Sequence, residues 1–193
     1  THQCNEDIAL MRTIPGMVIL NPSDDIEAKA AVKAAYEHEG PVYMRFGRLA
    51  VPIINDRPDY KFEIGKGVTL REGKDVAIIA TGLCVSESLA AAEKLAADGI
   101  DAKVINIHTI KPLDEDLVVA AAKECGKVVT VEEHSVIGGL GSAVCETLSR
   151  KAPTPVKTIG VQDCFGESGP AVALLEKYGL NAEGIYASVK EFV

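Results

Sequence analysis

The sequence predicts an α/β protein in which helices cover both faces of a mostly parallel sheet. Short apolar runs rich in β-branched residues, such as VAIIA at 76–80 and KVVTV at 127–131, alternate with longer segments of helical periodicity. This alternation is typical of strand–helix–strand units. Of the 193 residues, 47% are hydrophobic and 25% are charged, as in folded globular proteins, and this composition excludes a largely disordered chain.

The first 48 residues predict the order helix, strand, helix, strand. The Pro15–Gly16 pair stops the first run of helical periodicity, and Ser23 is a suitable N-cap for the second helix because its hydroxyl can accept from a free backbone N–H. The expected elements are a helix over 6–13, a strand over 17–20, a helix from 24 to about 39 and a strand over 41–46.

A looser stretch, PIINDRPDYKFEIGKG at 52–67, follows these elements. It contains two prolines and several charges and has no sustained hydrophobic period, which is typical of a connection between two folded units. We therefore expect one domain over residues 1–60, a linker at 61–65 and a second domain over 66–193.

Beyond the linker, strands and helices alternate regularly. The apolar runs are short and β-branched, as expected of strands that are covered on both faces. The expected strands are 75–80, 102–107, 127–131 and 156–160, and the expected helices are 84–98, 114–125, 141–150, 170–178 and 182–192.

Charge and hydropathy exclude several classes of partner. Twenty Lys and Arg against 28 Asp and Glu give a net charge of −8, so we expect no binding to nucleic acid. No apolar run approaches the ~20 residues needed to cross a bilayer, and the start THQCNED has no signal-peptide pattern. We expect no membrane association, a cytoplasmic location and reduced thiols at all five cysteines. The chain begins with Thr1, directly before a motif, and we expect it to be a piece of a longer protein.

Two arginines near the end of a predicted strand are candidate anion ligands. Arg45 and Arg48 in MRFGRLAVP lie on either side of Gly47, which leaves the backbone free to turn both guanidinium groups toward one point. A guanidinium binds a phosphate or carboxylate through two parallel hydrogen bonds. The alternative is that both arginines are solvated surface residues.

The segment 138–142, GGLGS, precedes a predicted helix and could present backbone N–H groups to an anion. It matches neither the phosphate-loop nor the dinucleotide-binding spacing, so we interpret it as a tight structural turn. Glu132, Glu133 and His134 follow a predicted strand and could act in acid–base chemistry, or form a satisfied polar cluster at a domain contact. No set of His, Cys and carboxylate residues has metal-ligand spacing.

Taken in order, the motifs of the chain resemble the C-terminal half of the transketolase family of thiamine-diphosphate enzymes. THQCNEDIALMRTIPGM and PVYMRFGRLAVP resemble the family's pyrimidine-binding domain. DVAIIATG, HTIKPLD, VTVEEHSVIGGLGSAV and IGVQDCFGESG resemble its C-terminal domain, and the likeness is closest to the small C-terminal subunit of split transketolases. The resemblance implies a remnant of the pyrimidine-binding domain followed by a Rossmann-like C-terminal domain, with 67–71 as the antiparallel strand of its sheet.

The resemblance also implies roles for three residues. His2 corresponds to a histidine that contacts sugar hydroxyl groups in the substrate channel, and Arg48 to an arginine that binds the sugar phosphate, with Arg45 as its neighbour. The complete enzyme would use thiamine diphosphate and Mg²⁺, which we expect to be held by an N-terminal section or subunit and not by this chain. Homodimers or heterotetramers of split subunits are the implied assemblies.

The expected activity is the transfer of a two-carbon ketol unit between ketose and aldose phosphates, with the isolated chain inactive. Three alternatives stay open. The chain could be the C-terminal section of a 1-deoxyxylulose-5-phosphate synthase, a 2-oxo-acid dehydrogenase β-subunit, or a non-catalytic ligand-binding or assembly module that uses the 138–142 loop.

Overall fold

A computed structural model describes residues 4–193, which form an α/β structure with two sheets. Within these residues the helices are α1 (Asp7–Arg12), α2 (Asp25–Glu37), α3 (Cys84–Ala97), α4 (Glu115–Cys125), α5 (Leu140–Lys151), α6 (Ala171–Lys177) and α7 (Ala182–Phe192). The strands are β1 (Val18–Leu20), β2 (Val42–Met44), β3 (Val68–Arg71), β4 (Val76–Ala80), β5 (Ala102–Asn106), β6 (Thr109–Lys111), β7 (Val128–Ser135) and β8 (Val156–Val161).

The larger sheet has the strand order β3-β5-β4-β7-β8. Strands β5, β4, β7 and β8 are parallel, and β3 is antiparallel to β5, as the family resemblance implied for the segment 67–71. All five residues of the central strand β4 are buried. Alternate side chains of β4 enter two different apolar clusters, one that includes α3 and α7 and one that includes α4 and α5. The predicted α/β fold class is confirmed.

The smaller sheet contains a strand that the sequence analysis missed. Its order is β2-β1-β6, so β1 is central, parallel to β2 and antiparallel to β6. Strand β6 comes from the later part of the chain, and its Ile110, 1% exposed, packs with Ile8 of α1 and Ile19 of β1. The three residues of β6 were too few to show a period, and a nonlocal pairing sets their conformation.

The stretch 52–67 contains no helix or strand, but it is fixed by buried polar contacts. The Asp24 carboxylate accepts from the backbone N–H groups of Ile54 and Asn55, each at 2.8 Å. The buried Glu27 carboxylate accepts from Tyr60 Oη and from Asn106 Nδ2 of β5, again at 2.8 Å. The stretch is therefore fastened to α2, and Glu27 joins α2 to the larger sheet.

Several predicted boundaries need correction. Asp24, not Ser23, is the N-cap of α2, because its side chain accepts from the N–H of Glu27. Ser23 instead donates its hydroxyl to the Glu27 carboxylate at 2.7 Å. Helix α2 ends at Glu37, and β7 runs on to Ser135, so the Glu-Glu-His segment lies inside the strand and not after it.

Across residues 4–193, no helix combines the length and the apolar character that a bilayer crossing requires. All five cysteines are free thiols, as expected from their spacing.

Truncating Ile110 tests the contact between β6 and the first sheet. We predict that Ile110→Ala lowers the free energy of unfolding by about 2–4 kcal/mol, because it opens a cavity between α1 and β1. Urea denaturation followed by circular dichroism measures this loss. The matched control is Val32→Ala, since Val32 is 52% exposed on α2 and its truncation is expected to cost less than about 0.5 kcal/mol. Equal effects of the two variants would contradict the packing described for β6.

Candidate functional site

The carboxyl end of β7 meets the beginning of α1 and the end of β2. Glu132 and His134 are both fully buried, and Glu133 between them is partly exposed. This follows from the alternation of side chains along a strand, which directs Glu132 and His134 to one face and Glu133 to the other. Three consecutive polar residues thus serve two different sets of partners.

Glu132 binds the first turn of α5. Its two carboxylate oxygens accept from the backbone N–H groups of Leu140 at 2.7 Å and Gly141 at 2.8 Å. These groups have no partner within their own helix, and the positive end of the helix dipole favours an anion there. Burial raises the pKa of Glu132 to about 7, although both N–H donors act in the opposite direction.

The glycines of the 138–142 loop give Glu132 room to reach the helix. A Cβ atom on Gly139 would overlap Glu132 Oε2, and one on Gly141 would lie 2.8 Å from Thr130 Oγ1. The loop therefore does present N–H groups to an anion, and that anion is an internal carboxylate. This supports the interpretation as a structural turn and removes the ligand site that the non-catalytic alternative would have used.

His134 binds the first turn of α1. Its Nε2 lies 3.2 Å from the backbone nitrogen of Ile8 and 3.4 Å from that of Ala9. Its Nδ1 lies 2.6 Å from the carbonyl oxygen of Ser135. A carbonyl can only accept, so Nδ1 carries the proton and Nε2 accepts from the helix. Burial lowers the pKa of His134, which keeps this neutral form.

Arg45 joins α1, β2 and β7. Its Nε donates to Asp7 Oδ2 at 3.0 Å and its Nη2 to the carbonyl oxygen of Glu133 at 2.8 Å, while Nη1 lies 3.7 Å from the Glu133 carboxylate. Tyr43 Oη also donates to Asp7, at 2.7 Å, and burial together with this contact raises the pKa of Tyr43 to about 12. Burial raises the pKa of Glu133, partly offset by Arg45.

Arg48, by contrast, is exposed, and its side chain makes no hydrogen bond or ion pair with residues 4–193. The two arginines are therefore not directed to one shared partner. Arg45 comes directly after β2, and its backbone N–H donates to the carbonyl oxygen of Leu20 in β1 at 2.8 Å. Its side chain donates to Asp7. Of the two arginines, Arg48 is the one whose guanidinium N–H groups have no partner among the described residues. His2 lies outside the described residues.

The described part of the chain offers no cluster of three or more His, Cys, Asp or Glu residues that could hold a metal ion. The α5 N-terminus, which could have presented its N–H groups to an external anion, is filled by Glu132. The anion at this helix terminus is therefore a side chain of the protein itself. Among the described residues, Arg48 is exposed, whereas the Arg45 side chain is taken up by Asp7 and Glu133.

Sequence comparison finds two family matches in order along the chain. Residues 1–53 match the pyrimidine-binding domain of transketolase, and residues 65–185 match the transketolase C-terminal domain.

Individual relatives agree with these matches. The 6-deoxy-6-sulfo-D-fructose transketolase subunit SqwH of Clostridium sp. (strain MSTE9) is 48% identical over 99% of this chain and 59% of its own length. An apulose-4-phosphate transketolase subunit of Phocaeicola vulgatus is 42% identical over 100% of this chain and 62% of its own. The comparison also finds 1-deoxy-D-xylulose-5-phosphate synthase 1 of Geobacter sulfurreducens, 40% identical over the whole chain and 31% of that protein.

Among solved structures, a split-gene transketolase described as an inactive beta4 tetramer matches with a TM-score of 0.93 and 52% sequence identity. The match covers 98% of this chain and 62% of that one. The chain thus spans about three fifths of the length of the transketolase subunits that it matches.

A double-mutant cycle tests the contact between Glu132 and the glycine turn. We predict that Gly139→Ala lowers the free energy of unfolding by about 1–3 kcal/mol, because the added methyl group displaces the Glu132 carboxylate. The same change should cost much less in a Glu132→Ala background, where the carboxylate is absent. Thermal unfolding of the four proteins measures the coupling. Additive effects would show that Glu132 does not occupy the turn.

Proposed function

The chain belongs to the transketolase family, and we propose that it is the C-terminal section of a transketolase. The enzyme would transfer a two-carbon ketol unit from a ketose phosphate to an aldose phosphate. The observation that carries the proposal is the match of nearly the whole chain, in sequence and in fold, to part of a split-gene transketolase. The ordered matches to the pyrimidine-binding and C-terminal domains support a division into residues 1–60 and 66–193, joined at 61–65.

We assign the cofactor to a companion section or subunit. The relatives that are named as transketolase subunits supply a precedent for a chain that works with another, and the N-terminus of α5, which could have bound a phosphate, is filled by Glu132. Thiamine diphosphate, with Mg²⁺, would supply the carbanion chemistry that breaks and forms the carbon–carbon bond. A homodimer or a heterotetramer of split subunits would bring that section against this chain.

We assign substrate recognition to this chain. Arg48 would bind the terminal anion of the sugar, since its guanidinium is exposed and free among the described residues and suits two parallel hydrogen bonds to a phosphate. His2 would contact sugar hydroxyl groups, which imidazole can do as donor or acceptor. The donors of Arg45 are directed to Asp7 and Glu133, so Arg45 would contribute by fixing the end of β2 and not by direct contact with the phosphate.

Comparing phosphorylated with unphosphorylated substrates tests the role of Arg48. We predict that Arg48→Ala raises KM for phosphorylated substrates by about 10- to 100-fold in the assembled enzyme, the loss of roughly 1.5–3 kcal/mol expected for a charge-assisted contact. KM for unphosphorylated sugars should change little. The matched control is Arg150→Ala, which removes an exposed arginine at the C-terminal end of α5 that pairs with Glu115 of α4. An unchanged preference for phosphorylated over unphosphorylated substrates would contradict the assignment.

Reconstitution tests the activity itself. We predict that the purified chain shows no ketol transfer and no saturable binding of thiamine diphosphate in calorimetry, even with Mg²⁺. Together with its companion section it should form a new ketose phosphate from a ketose phosphate and an aldose phosphate. Condensation of pyruvate with glyceraldehyde phosphate, with release of CO₂, would instead identify the synthase alternative. Turnover by the chain alone would show that it carries the cofactor site.

A further inference from the structure

The carboxyl group of Glu132 is fully buried, and the donors that reach it are uncharged. They are the backbone N–H groups of Leu140 and Gly141. Its one ion-pair contact among residues 4–193 is His134 Nδ1, 3.7 Å away, and the proton on that nitrogen is directed to the carbonyl oxygen of Ser135. An ionised carboxylate in such a site loses its hydration without gaining a counter-charge, so the site favours the protonated form.

Titratable groups from other elements face Glu132 at longer range. They are Arg12 of α1, Arg45 after β2 and Cys84 of α3, with Asp7 and Glu133 beyond, each paired with Arg45. The two arginines lower the pKa of Glu132, but burial has the larger effect and raises it to about 7. Burial also raises the pKa of the Cys84 thiol, which is therefore neutral near pH 7. The protonation of Glu132 thus changes close to neutral pH.

Thr130 offers an acceptor for the carboxyl proton. It is fully buried two residues before Glu132 on β7, so both side chains lie on the same face of the sheet. Its hydroxyl oxygen has no hydrogen-bond partner among residues 4–193. A Cβ atom added to Gly141 would lie 2.8 Å from this oxygen and 3.3 Å from Glu132 Oε1, so both atoms face the first turn of α5. A protonated carboxyl group can donate to a hydroxyl oxygen, and an ionised one cannot.

The turn that covers Glu132 is short and exposed at its tip. Residues 136–139 connect β7 to α5, and Ile137 is 60% exposed. Gly138 has a φ of +80°, which favours glycine. A Cβ atom on Gly139 would overlap Glu132 Oε2, so the carboxyl group occupies the inner side of the turn. Opening these four residues would therefore expose Glu132 to water.

The other side of the turn contacts α1. A Cβ atom on Gly138 would lie 2.5 Å from the Cβ of Ala9, so the two residues are packed together. The carbonyl oxygen of Gly138 accepts from Arg12 Nη1 at 2.8 Å. Opening of the turn would break both contacts and release this side of α1 from β7 and α5.

We propose that Glu132, Thr130 and the turn 136–139 form a pH-sensitive switch between β7, α5 and α1. Below neutral pH, the uncharged carboxyl group donates to Thr130, accepts from α5 and keeps the turn closed against α1. Above neutral pH, the buried carboxylate is ionised, and opening of the turn returns it to water. The switch lies within this chain and does not depend on the reaction of the assembled enzyme.

Linkage between protonation and opening gives the direction of the effect. In the open turn Glu132 is hydrated and has its ordinary pKa of 4.5, whereas in the closed turn its pKa is about 7. Between these values the closed turn binds the additional proton. Opening therefore becomes about 10-fold more favourable for each pH unit gained in this range, and it levels off above about pH 7.

Amide hydrogen exchange at Leu140 and Gly141 measures the opening in the purified chain. Rates are recorded from about pH 5 to about pH 8 and divided by the intrinsic exchange rate at each pH. We expect protection of both amides to fall by about 10- to 100-fold between about pH 5 and about pH 7. The methyl resonance of Ala9 should shift over the same range, while that of Ala91, buried on α3, should not.

Glu132→Gln is the decisive variant, because its amide cannot ionise but still accepts from α5 and can donate to Thr130. We expect its protection to be independent of pH. The matched control is Glu93→Gln, since Glu93 is exposed on α3 and its side chain makes no hydrogen bond or ion pair with residues 4–193. This control should keep the pH dependence of the wild type. The same pH dependence in Glu132→Gln and wild type, or constant protection in the wild type, would overturn the inference.

Thr130→Val tests the acceptor. The Glu132 carboxyl carbon, followed by ¹³C nuclear magnetic resonance, should titrate with a midpoint near pH 7 in the wild type. The variant removes the oxygen that accepts the carboxyl proton, so we expect the midpoint to fall by about 0.5–1 pH unit. A midpoint that is unchanged or higher would show that Thr130 does not hold the protonated form, and would contradict the switch.

Discussion

The carboxyl end of β7 is the constraint on which the arrangement of the molecule depends. It places Glu132 and His134, both fully buried, between two helices whose first N–H groups would otherwise lack partners. A buried polar group without a partner costs about 1–3 kcal/mol, and a charged group costs more. The first N–H groups of α1 and α5 therefore provide hydrogen-bond donors for the buried side chains of β7, and those side chains provide acceptors for the two helices. Removing Glu132 takes the acceptor from the N–H groups of Leu140 and Gly141, and removing His134 takes it from those of Ile8 and Ala9.

The two parts of the chain are joined by polar contacts and by one short strand. Strand β6 supplies an edge of the small sheet from the later part of the chain. The Asp24 and Glu27 carboxylates fasten the segment around Asn55 and Tyr60 to α2. Arg45 follows β2, and its side chain adds a further contact, to the carbonyl oxygen of Glu133 in β7. The position of the Arg45 side chain thus depends on the later part of the chain.

The regular part of the fold was predictable because its signals are local. The apolar runs of the larger sheet and the helices between them appear at their expected places, and the antiparallel β3 followed from the resemblance. Strand β6 was not predictable, since its three residues take their conformation from a partner about 90 residues earlier in the sequence. The N-cap of α2 was misplaced by one residue because Ser23 and Asp24 are equally suitable caps in sequence. In the structure Asp24 accepts from the N–H of Glu27, and the Ser23 hydroxyl donates to the Glu27 carboxylate instead.

The same distinction applies to the candidate site. The arginines and the Glu-Glu-His segment were identified as polar residues near strand ends, but their partners lie far away in sequence. Nothing in MRFGRLAVP shows that Arg45 binds Asp7 while Arg48 does not. Nor does the glycine-rich turn show that its anion is Glu132, although a carboxylate eight residues before a helix start is a signal that could have been tested.

Nuclear magnetic resonance of the His134 side chain tests the central claim most directly. In ¹⁵N-labelled protein at neutral pH, the ring should be neutral with its proton on Nδ1, and a scalar coupling should connect His134 Nε2 with the amide nitrogen of Ile8 across their hydrogen bond. A ring protonated at Nε2, with no coupling to Ile8, would contradict the account.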